Sequence, residues 1–305
     1  MIVNVLFVGQ PNAGDSSWVL VDAGLYGSAN RIKHAAEERY GPGARPQAII
    51  LTHGHFDHVG ALEELATGWD VPIYAHETEL PYLTGGSAYP PPDPSVGGGA
   101  MARLSWMYPR GPINLGGRVR PLPTDGSVPG MPGWRWVHTP GHTAGHVSFF
   151  RESDRTLIAG DAFVTVKQES ALAVLTQRPE MNGPPKYYTS DWQAARGSVE
   201  KLAGLQPSIV ATGHGVPMRG AQMQQQLQEL ARNFDRLAVP AHGRYVEQPA
   251  ITNERGVVSV PPPISDPLPK VLAGVGLAAL AGAALILTSR RKAPTNKRKR
   301  RYRTT

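Results

Sequence analysis

Residues 48–58 read AIILTHGHFDH, an apolar run that ends abruptly in three histidines and one aspartate. A short apolar run bounded by polar residues is typical of a buried β-strand. Alternate residues at the end of such a strand point to the same side, so His53 and His55 can bind one metal ion. If the chain turns into a helix near Asp57, that residue and His58 face a second ion. A polar, solvated turn is the alternative, and the density of the cluster disfavours it.

Three later segments place one metal-ligand residue each among small residues. His142 lies in PGHTAGH (140–146), Asp161 in AGD (159–161) and His214 in TGHG (212–215). The first segment lies between two expected strands, and the other two end apolar stretches expected to be strands. Small residues let the backbone approach its neighbours closely. Each segment alone is typical of an ordinary turn, but together with the first cluster they form one pattern.

These four segments resemble the motifs of the metallo-β-lactamase superfamily, in the same order and spacing, over about residues 2–237. The resemblance implies an αββα sandwich with a metal site at one edge, between two sheets. It assigns a first metal ion to His53, His55 and His142, a second to Asp57, His58 and His214, and a bridging position to Asp161. His146 falls at a position that is usually not a ligand, so we expect a structural or supporting role for it.

The resemblance implies a hydrolase that acts on a small molecule. Two divalent cations share a water molecule and lower its pKa towards neutrality. We expect zinc, with iron or manganese as alternatives, because the ligands are imidazoles and carboxylates and the chain has no cysteine. The substrate would be an ester, thioester, lactone or amide, and Asp57 would orient the attacking hydroxide as a catalytic residue.

Asp161 distinguishes subgroups of the family. Classical β-lactamases have cysteine or serine near this point, whereas enzymes similar to glyoxalase II and lactonases have aspartate. The chain shows no recognisable glutathione-binding C-terminal domain, and His55 stands where flavodiiron relatives have glutamate. An oxidoreductase similar to the persulfide dioxygenases, which use one iron, remains an alternative. A nucleic-acid phosphodiesterase of the same fold is a third interpretation.

The charge distribution disfavours a nucleic-acid partner. The net charge is +7, but ten of the 31 basic residues, and no acidic residue, follow from Lys270 onward. Residues 1–269 therefore have 21 basic and 24 acidic residues, a net charge of −3. A mildly acidic body offers no broad phosphate-binding surface, so we expect no specific nucleic acid.

Strands that alternate with helices predict an α/β fold for a catalytic domain at 1–240. The Gly- and Pro-rich segment Thr84–Ala100 is expected to be a loop over the active site. Tyr187 and Tyr188 fall between two ligands in the sequence, and the hydroxyl of Tyr188 is a candidate substrate contact that would stabilise an oxyanion. Packing beneath a Pro-rich loop is the alternative for both tyrosines.

Residues 241–305 differ in composition from the rest of the chain. Residues 241–269 are Pro-rich and suggest an arm or linker, and 271–287 contain no charged residue. A bilayer span takes roughly 17–25 apolar residues, so the sequence predicts a transmembrane anchor at 270–289 and a basic tail at 290–305. Gly274, Ala278 and Gly282 are spaced four apart, which would permit close helix pairing and self-association.

These features predict a protein anchored to the membrane by one C-terminal span. The basic run 296–303 would lie against anionic lipid headgroups in the cytoplasm. Residues 1–25 show no charged n-region, apolar h-region or cleavage site. We therefore expect the catalytic domain to face the cytoplasm.

Overall fold

The computed structural model describes residues 2–264, which form two five-stranded sheets and a small hairpin. The first sheet contains β1 (Leu6–Val8), β2 (Val19–Val21), β3 (Ala48–Ile50), β4 (Ile73–Ala75) and β5 (Val119–Pro121), in that spatial order. The second contains β6 (Trp134–His138), β7 (Val147–Arg151), β8 (Thr156–Gly160), β9 (Ile209–Thr212) and β10 (Met218–Arg219). The hairpin consists of β11 (Ile251–Asn253) and β12 (Gly256–Ser259).

The first sheet is parallel except for β1, which runs antiparallel to β2. In the second sheet β8 and β9 are parallel and the other pairs are antiparallel. The parallel connections pass through helices, as crossovers between parallel strands usually do. The helices are α1 (Ala29–Tyr40), α2 (Phe56–Val59), α3 (Leu62–Trp69), α4 (Leu80–Leu83), α5 (Ala100–Arg103), α6 (Ala171–Thr176), α7 (Trp192–Gly204), α8 (Ala221–Arg232) and α9 (Phe234–Leu237).

Alternating side chains divide the core into layers. Val21 and Ile50 of the first sheet pack against Phe149 and Ile158 of the second. The intervening residues point outwards: those of the first sheet pack on α1 and α3, and those of the second on α7 and α8. A strand whose two faces are both covered reads as a continuous apolar run, as residues 48–51 do. The αββα sandwich that the sequence predicted is confirmed.

The membrane part of the prediction is corrected. Across residues 2–264, no helix has the length and apolar character needed to cross a membrane. The longest helix of this part, α7, has 13 residues, a rise of about 20 Å, whereas a span needs about 20 apolar residues. The expected anchor at 270–289 and the basic tail at 290–305 lie outside the described residues. A transmembrane helix, a membrane partner and a membrane location therefore have no structural support, because they rested on hydropathy alone.

Residues 241–260 pack on the loop that follows α4. The amide of Arg244 donates to Asp93, the hydroxyl of Tyr245 donates to the carbonyl of Pro91 at 2.6 Å, and the amide of Val257 donates to Ser87. The compact unit extends to Pro263. It thus includes most of the segment whose composition suggests a linker.

Candidate metal centre

The seven predicted ligands come together at one edge of the sandwich. The segment with His53, His55, Asp57 and His58 follows β3 of the first sheet. The other three ligands, His142, Asp161 and His214, follow β6, β8 and β9 of the second sheet. We call these seven residues the ligand cluster. Each follows a buried strand, so the rigid core fixes where its backbone leaves the sheet.

Three groups of three residues in the cluster have ligand atoms that all lie within 4.8 Å of one another. One of them, His53, His58 and Asp161, shares one residue with each of the other two groups, which we call the first and the second. The first group is His53, His55 and His142. Its closest contact joins Nδ1 of His55 and Nε2 of His142 at 3.0 Å. All three side chains are buried, and no carboxylate belongs to this group.

The second group is Asp57, His58 and His214. The Nε2 atom of His214 lies 3.3 Å from a carboxylate oxygen of Asp57. Asp57 is the most accessible member of the cluster, with 16% of its side chain exposed. The cluster is therefore reached from the side of Asp57.

Asp161 lies between the two groups. Its Oδ2 atom is 3.5 Å from Nε2 of His142 in the first group. The same atom is 3.6 Å from Nε2 of His58 and 3.2 Å from Nε2 of His214 in the second. One carboxylate oxygen thus lies near imidazoles of both groups, which is the position that the sequence resemblance predicts for a bridging ligand.

Several buried atoms of the cluster lack a hydrogen-bond partner within the described residues. They include Nε2 of His53, Nε2 of His58 and Oδ1 of Asp161. Buried polar atoms are rarely left unpaired, because each such atom costs roughly 1–3 kcal/mol. Divalent cations would pair these lone pairs, so the residues fit a metal site.

The two groups differ in their protonation. Burial lowers the pKa of His55 to about 3, and the neighbouring His58 adds to this shift. Burial also holds the pKa values of His53 and His142 well below the usual range. These three imidazoles are therefore neutral at ordinary pH, which is the form that binds a cation.

The histidines of the second group lie among carboxylates. Burial opposes protonation of His214, but Asp161 and Asp57 outweigh it and raise its pKa to about 10. Burial likewise opposes protonation of His58, and Asp161, Asp22 and Asp57 outweigh it, so its pKa is raised. Without a cation the carboxylates are thus paired with imidazolium groups, and a metal ion entering this group displaces protons.

A further layer of hydrogen bonds orients the ligands. Asp22 accepts from Nδ1 of His58 at 2.8 Å and from the amide and hydroxyl of Thr52. The carbonyl of Ile2 lies 2.6 Å from Nδ1 of His214. Such partners fix which imidazole nitrogen faces a metal ion. Asp22 was missed in the sequence, although it directly follows β2 as the ligands follow their strands.

His146 lies in this outer layer. Its Nε2 accepts from the amide of Asp161 at 2.9 Å, and its Nδ1 contacts the hydroxyl of Thr139 at 2.8 Å. A Cβ on Gly160 would lie 2.6 Å from the same Nε2. The structure thus gives His146 a supporting position, as expected, and explains the small residue before Asp161.

Glu79 joins the two ligand-bearing loops, and sequence reasoning missed it. Its Oε2 accepts from the amide of Gly54, between His53 and His55, at 3.0 Å and from the hydroxyl of Tyr89. Its Oε1 accepts from the hydroxyl of Thr143 at 2.7 Å and the amide of Gly145 at 3.0 Å.

Burial raises the pKa of the Glu79 carboxyl, and its four hydrogen bonds oppose that rise. No local spacing signals this residue, because its partners are up to 66 positions away.

The glycines of the motifs leave room for these contacts. A Cβ on Gly54 would lie 2.5 Å from the hydroxyl of Tyr89. A Cβ on Gly213 would lie 2.0 Å from Oδ1 of Asp161. Any larger residue at either position would displace a ligand or its support.

Tyr188 contacts the ligand cluster through its ring and not through its hydroxyl. The ring stacks on His55, with centroids 4.3 Å apart and planes 27° from parallel. Its hydroxyl donates to the carbonyl of Pro109 at 3.1 Å. Tyr187 is buried in the same aromatic cluster. The predicted role of the Tyr188 hydroxyl towards a substrate thus stays a prediction, and the hydroxyl already has a partner.

The family model described as the metallo-beta-lactamase superfamily matches residues 1–214. The chain belongs to this superfamily. The probable metallo-hydrolase YflN of Bacillus subtilis is 49% identical over 233 residues, which cover 76% of this chain and 88% of that protein. The probable metallo-hydrolase YybB of the same organism is 30% identical over 170 residues, covering 56% of this chain and 64% of that protein.

A solved structure with the same fold is a β-lactamase domain protein from Burkholderia ambifaria. It has a TM-score of 0.51 and 21% identity, and the match covers 76% of this chain and 70% of that one. At this identity the match shows the fold alone. The family and its relatives make the chain a hydrolase of the metallo-β-lactamase superfamily, and its histidine and aspartate groups suit divalent metal ions.

Proposed function

We propose that this hydrolase uses two divalent metal ions, zinc in the first place, to cleave an ester, thioester, lactone or amide. His53, His55 and His142 would hold one ion, and Asp57, His58 and His214 the other. The position of Asp161 is the observation that carries the proposal. Its single Oδ2 atom lies within 3.6 Å of imidazoles from both groups.

Bound divalent ions would supply a water of lowered pKa and polarise the substrate carbonyl. The protein's own contribution is to hold the ligands in place and to position the water. Burial raises the pKa of Asp57, but His58 and His214 outweigh it and the pKa is lowered overall. Asp57 is therefore a carboxylate at neutral pH, and it accepts a hydrogen bond from the attacking water. It is the accessible acid of the cluster, so this water reaches it directly.

Metal content and hydrolysis test this function together. We expect two divalent ions per chain by elemental analysis, and hydrolysis of at least one ester, thioester or lactone by the zinc-loaded protein. Asp57→Asn keeps the shape but removes the charge, and should lower kcat by about 10²–10⁴-fold. His34→Ala, which changes an exposed histidine on α1, is the matched control and should leave kcat unchanged.

Three results would contradict the proposal. One iron per chain with consumption of oxygen would identify a dioxygenase similar to the persulfide dioxygenases. Full hydrolytic activity in protein freed of metal would exclude metal-dependent chemistry altogether. Cleavage of nucleic-acid phosphodiesters, with no carbonyl substrate turned over, would place the chain with the phosphodiesterases of this fold.

A further inference from the structure

Large apolar side chains are exposed in two segments next to the ligand cluster. On α6, Leu172 is 71% exposed and Leu175 is 79% exposed. In the segment after α5, Trp106 is 67% exposed, and Leu104 and Met107 are exposed as well. We call these five residues the apolar mouth. Contiguous exposed apolar surface usually marks a binding site, because covering it removes it from water.

The two segments of the mouth are joined at the bases of their helices. The amide of Met101 on α5 donates to the carbonyl of Glu169 at 3.1 Å, just before α6 begins. A Cβ on Gly99 would lie 2.3 Å from the same carbonyl oxygen. Helices α5 and α6 therefore start side by side, which brings the two segments of the mouth to the same part of the molecule.

The excursion that contains α6 leaves the sheet beside a predicted metal ligand. The amide of Thr165 donates to the carbonyl of His214 at 3.1 Å, and the amide of Glu180 donates back to the carbonyl of Thr165. Residues 165–180 thus begin and end next to the cluster. On α6, Val174 is buried whereas Leu172 and Leu175 face outwards.

Aromatic rings connect the mouth with the metal-ligand residues. Tyr108, next to Met107, lies 5.6 Å from the ring of Phe56. Phe56 lies 6.3 Å from Tyr188, whose ring stacks on His55. An apolar path therefore leads from the segment after α5 to Asp57, the accessible end of the cluster.

We propose that the apolar mouth binds the alkyl chain of an acyl substrate whose carbonyl reaches the ligand cluster. This inference rests on the proposed function, since it names the substrate class of the same site. We infer an alkyl chain because the aromatic path is continuous with the ligand cluster, where the carbonyl would lie. A substrate with a polar carbonyl at one end and a saturated chain at the other matches the two adjoining surfaces.

A series of esters tests the proposal with the full-length, zinc-loaded protein. We expect kcat/KM for p-nitrophenyl acetate, butanoate, hexanoate and octanoate to rise with chain length, by up to about four-fold for each buried methylene. The double variant Leu172→Ser/Leu175→Ser should lose about ten-fold on the octanoate ester and retain its rate on the acetate ester. Trp106→Ser should act in the same direction.

Tyr26→Ser is the matched control, because Tyr26 is the most exposed large apolar residue of the described part at 93% and lies in the loop before α1. It should leave the whole series unchanged. Equal kcat/KM across the series, or variants of the mouth that retain the octanoate preference, would overturn the proposal. A change from dimer to monomer in Leu172→Ser/Leu175→Ser, with the preference unchanged, would identify the mouth as a contact between copies of the chain.

A binding measurement separates this inference from the proposed function. The binding of octanoate and of acetate is measured by tryptophan fluorescence. Octanoate should bind the native protein at least ten-fold more tightly than acetate, and the leucine double variant should lose this ratio of affinities. If no ester is hydrolysed but the ratio is present, the proposed function fails and the apolar subsite stands. If esters are hydrolysed but the ratio is absent, the subsite fails alone.

Discussion

The ligand cluster and the apolar mouth adjoin each other, yet they are built in different ways. The cluster consists of short turns after buried strands, and six of its seven side chains are buried. The mouth consists of two excursions whose large side chains face solvent. Rigid placement suits chemistry that needs atoms at fixed distances. Segments that leave the core can vary in sequence without disturbing it, so they are suited to determine which substrate binds.

Asp161→Asn should have the largest effect and should act on the cluster alone. The amide side chain keeps the shape of the Asp161 carboxylate but lacks the negative charge that lies near the imidazoles of both groups. We expect kcat/KM to fall by about 10³-fold or more, since a bridged metal pair contributes several kcal/mol to the transition state. Metal content should fall in the same protein. Near-native activity with both ions bound would contradict the bridging role of Asp161.

Removal of the metal ions should have the next largest effect, a loss of thermal stability. Ligands that bind only the folded protein stabilise it by about 4 kcal/mol at a concentration 1,000 times Kd. For a unit of this size, a chelator should lower Tm by about 10 °C. His34→Ala should show the same drop as the native protein. An unchanged Tm with chelator would mean that the cluster binds no cation in solution.

Glu79→Gln should weaken the cluster indirectly. The amide can place its NH₂ group towards only one pair of donors, and that pair then loses its acceptor. Removal of such outer partners lowers metal affinity or activity by about 10–100-fold. Glu77→Gln, two residues earlier and exposed, is the matched control. A positioning role predicts weaker metal binding with unchanged octanoate preference, whereas general destabilisation would reduce both.

Gly197→Ala should have the smallest effect and should alter neither the ligand cluster nor the apolar mouth. Gly197 lies in α7, and a Cβ there would meet no atom within 4 Å. Alanine in a helix is favoured over glycine by about 0.5–1 kcal/mol, so Tm should rise by about 2 °C while kcat stays constant. A fall in Tm would show that α7 has contacts to which an added methyl group is harmful.

Sequence patterns predicted the cluster better than its surroundings. Residues 52–58 place four ligand-type side chains after one strand, so the local pattern suffices. The sequence of residues 221–237 predicts one long helix, but the structure has a helix that ends at Arg232 and a second helix that begins at Phe234. The mostly apolar residues 2–8 predict one strand, but β1 covers only Leu6–Val8. Hydropathy gives these elements approximately, but their ends depend on contacts with distant residues.

The amino-acid sequence alone, through its resemblance to the metallo-β-lactamase superfamily, predicted the sandwich class and the seven ligand positions, because the motifs that carry the resemblance are local. Only the tertiary structure gave the distances between Asp161 and the imidazoles of both groups, and only it showed that Glu79 joins Gly54 to Gly145. It also decided that α5 and α6 begin side by side. These relations depend on where chain segments far apart in the sequence meet, and that is fixed by packing of the whole core.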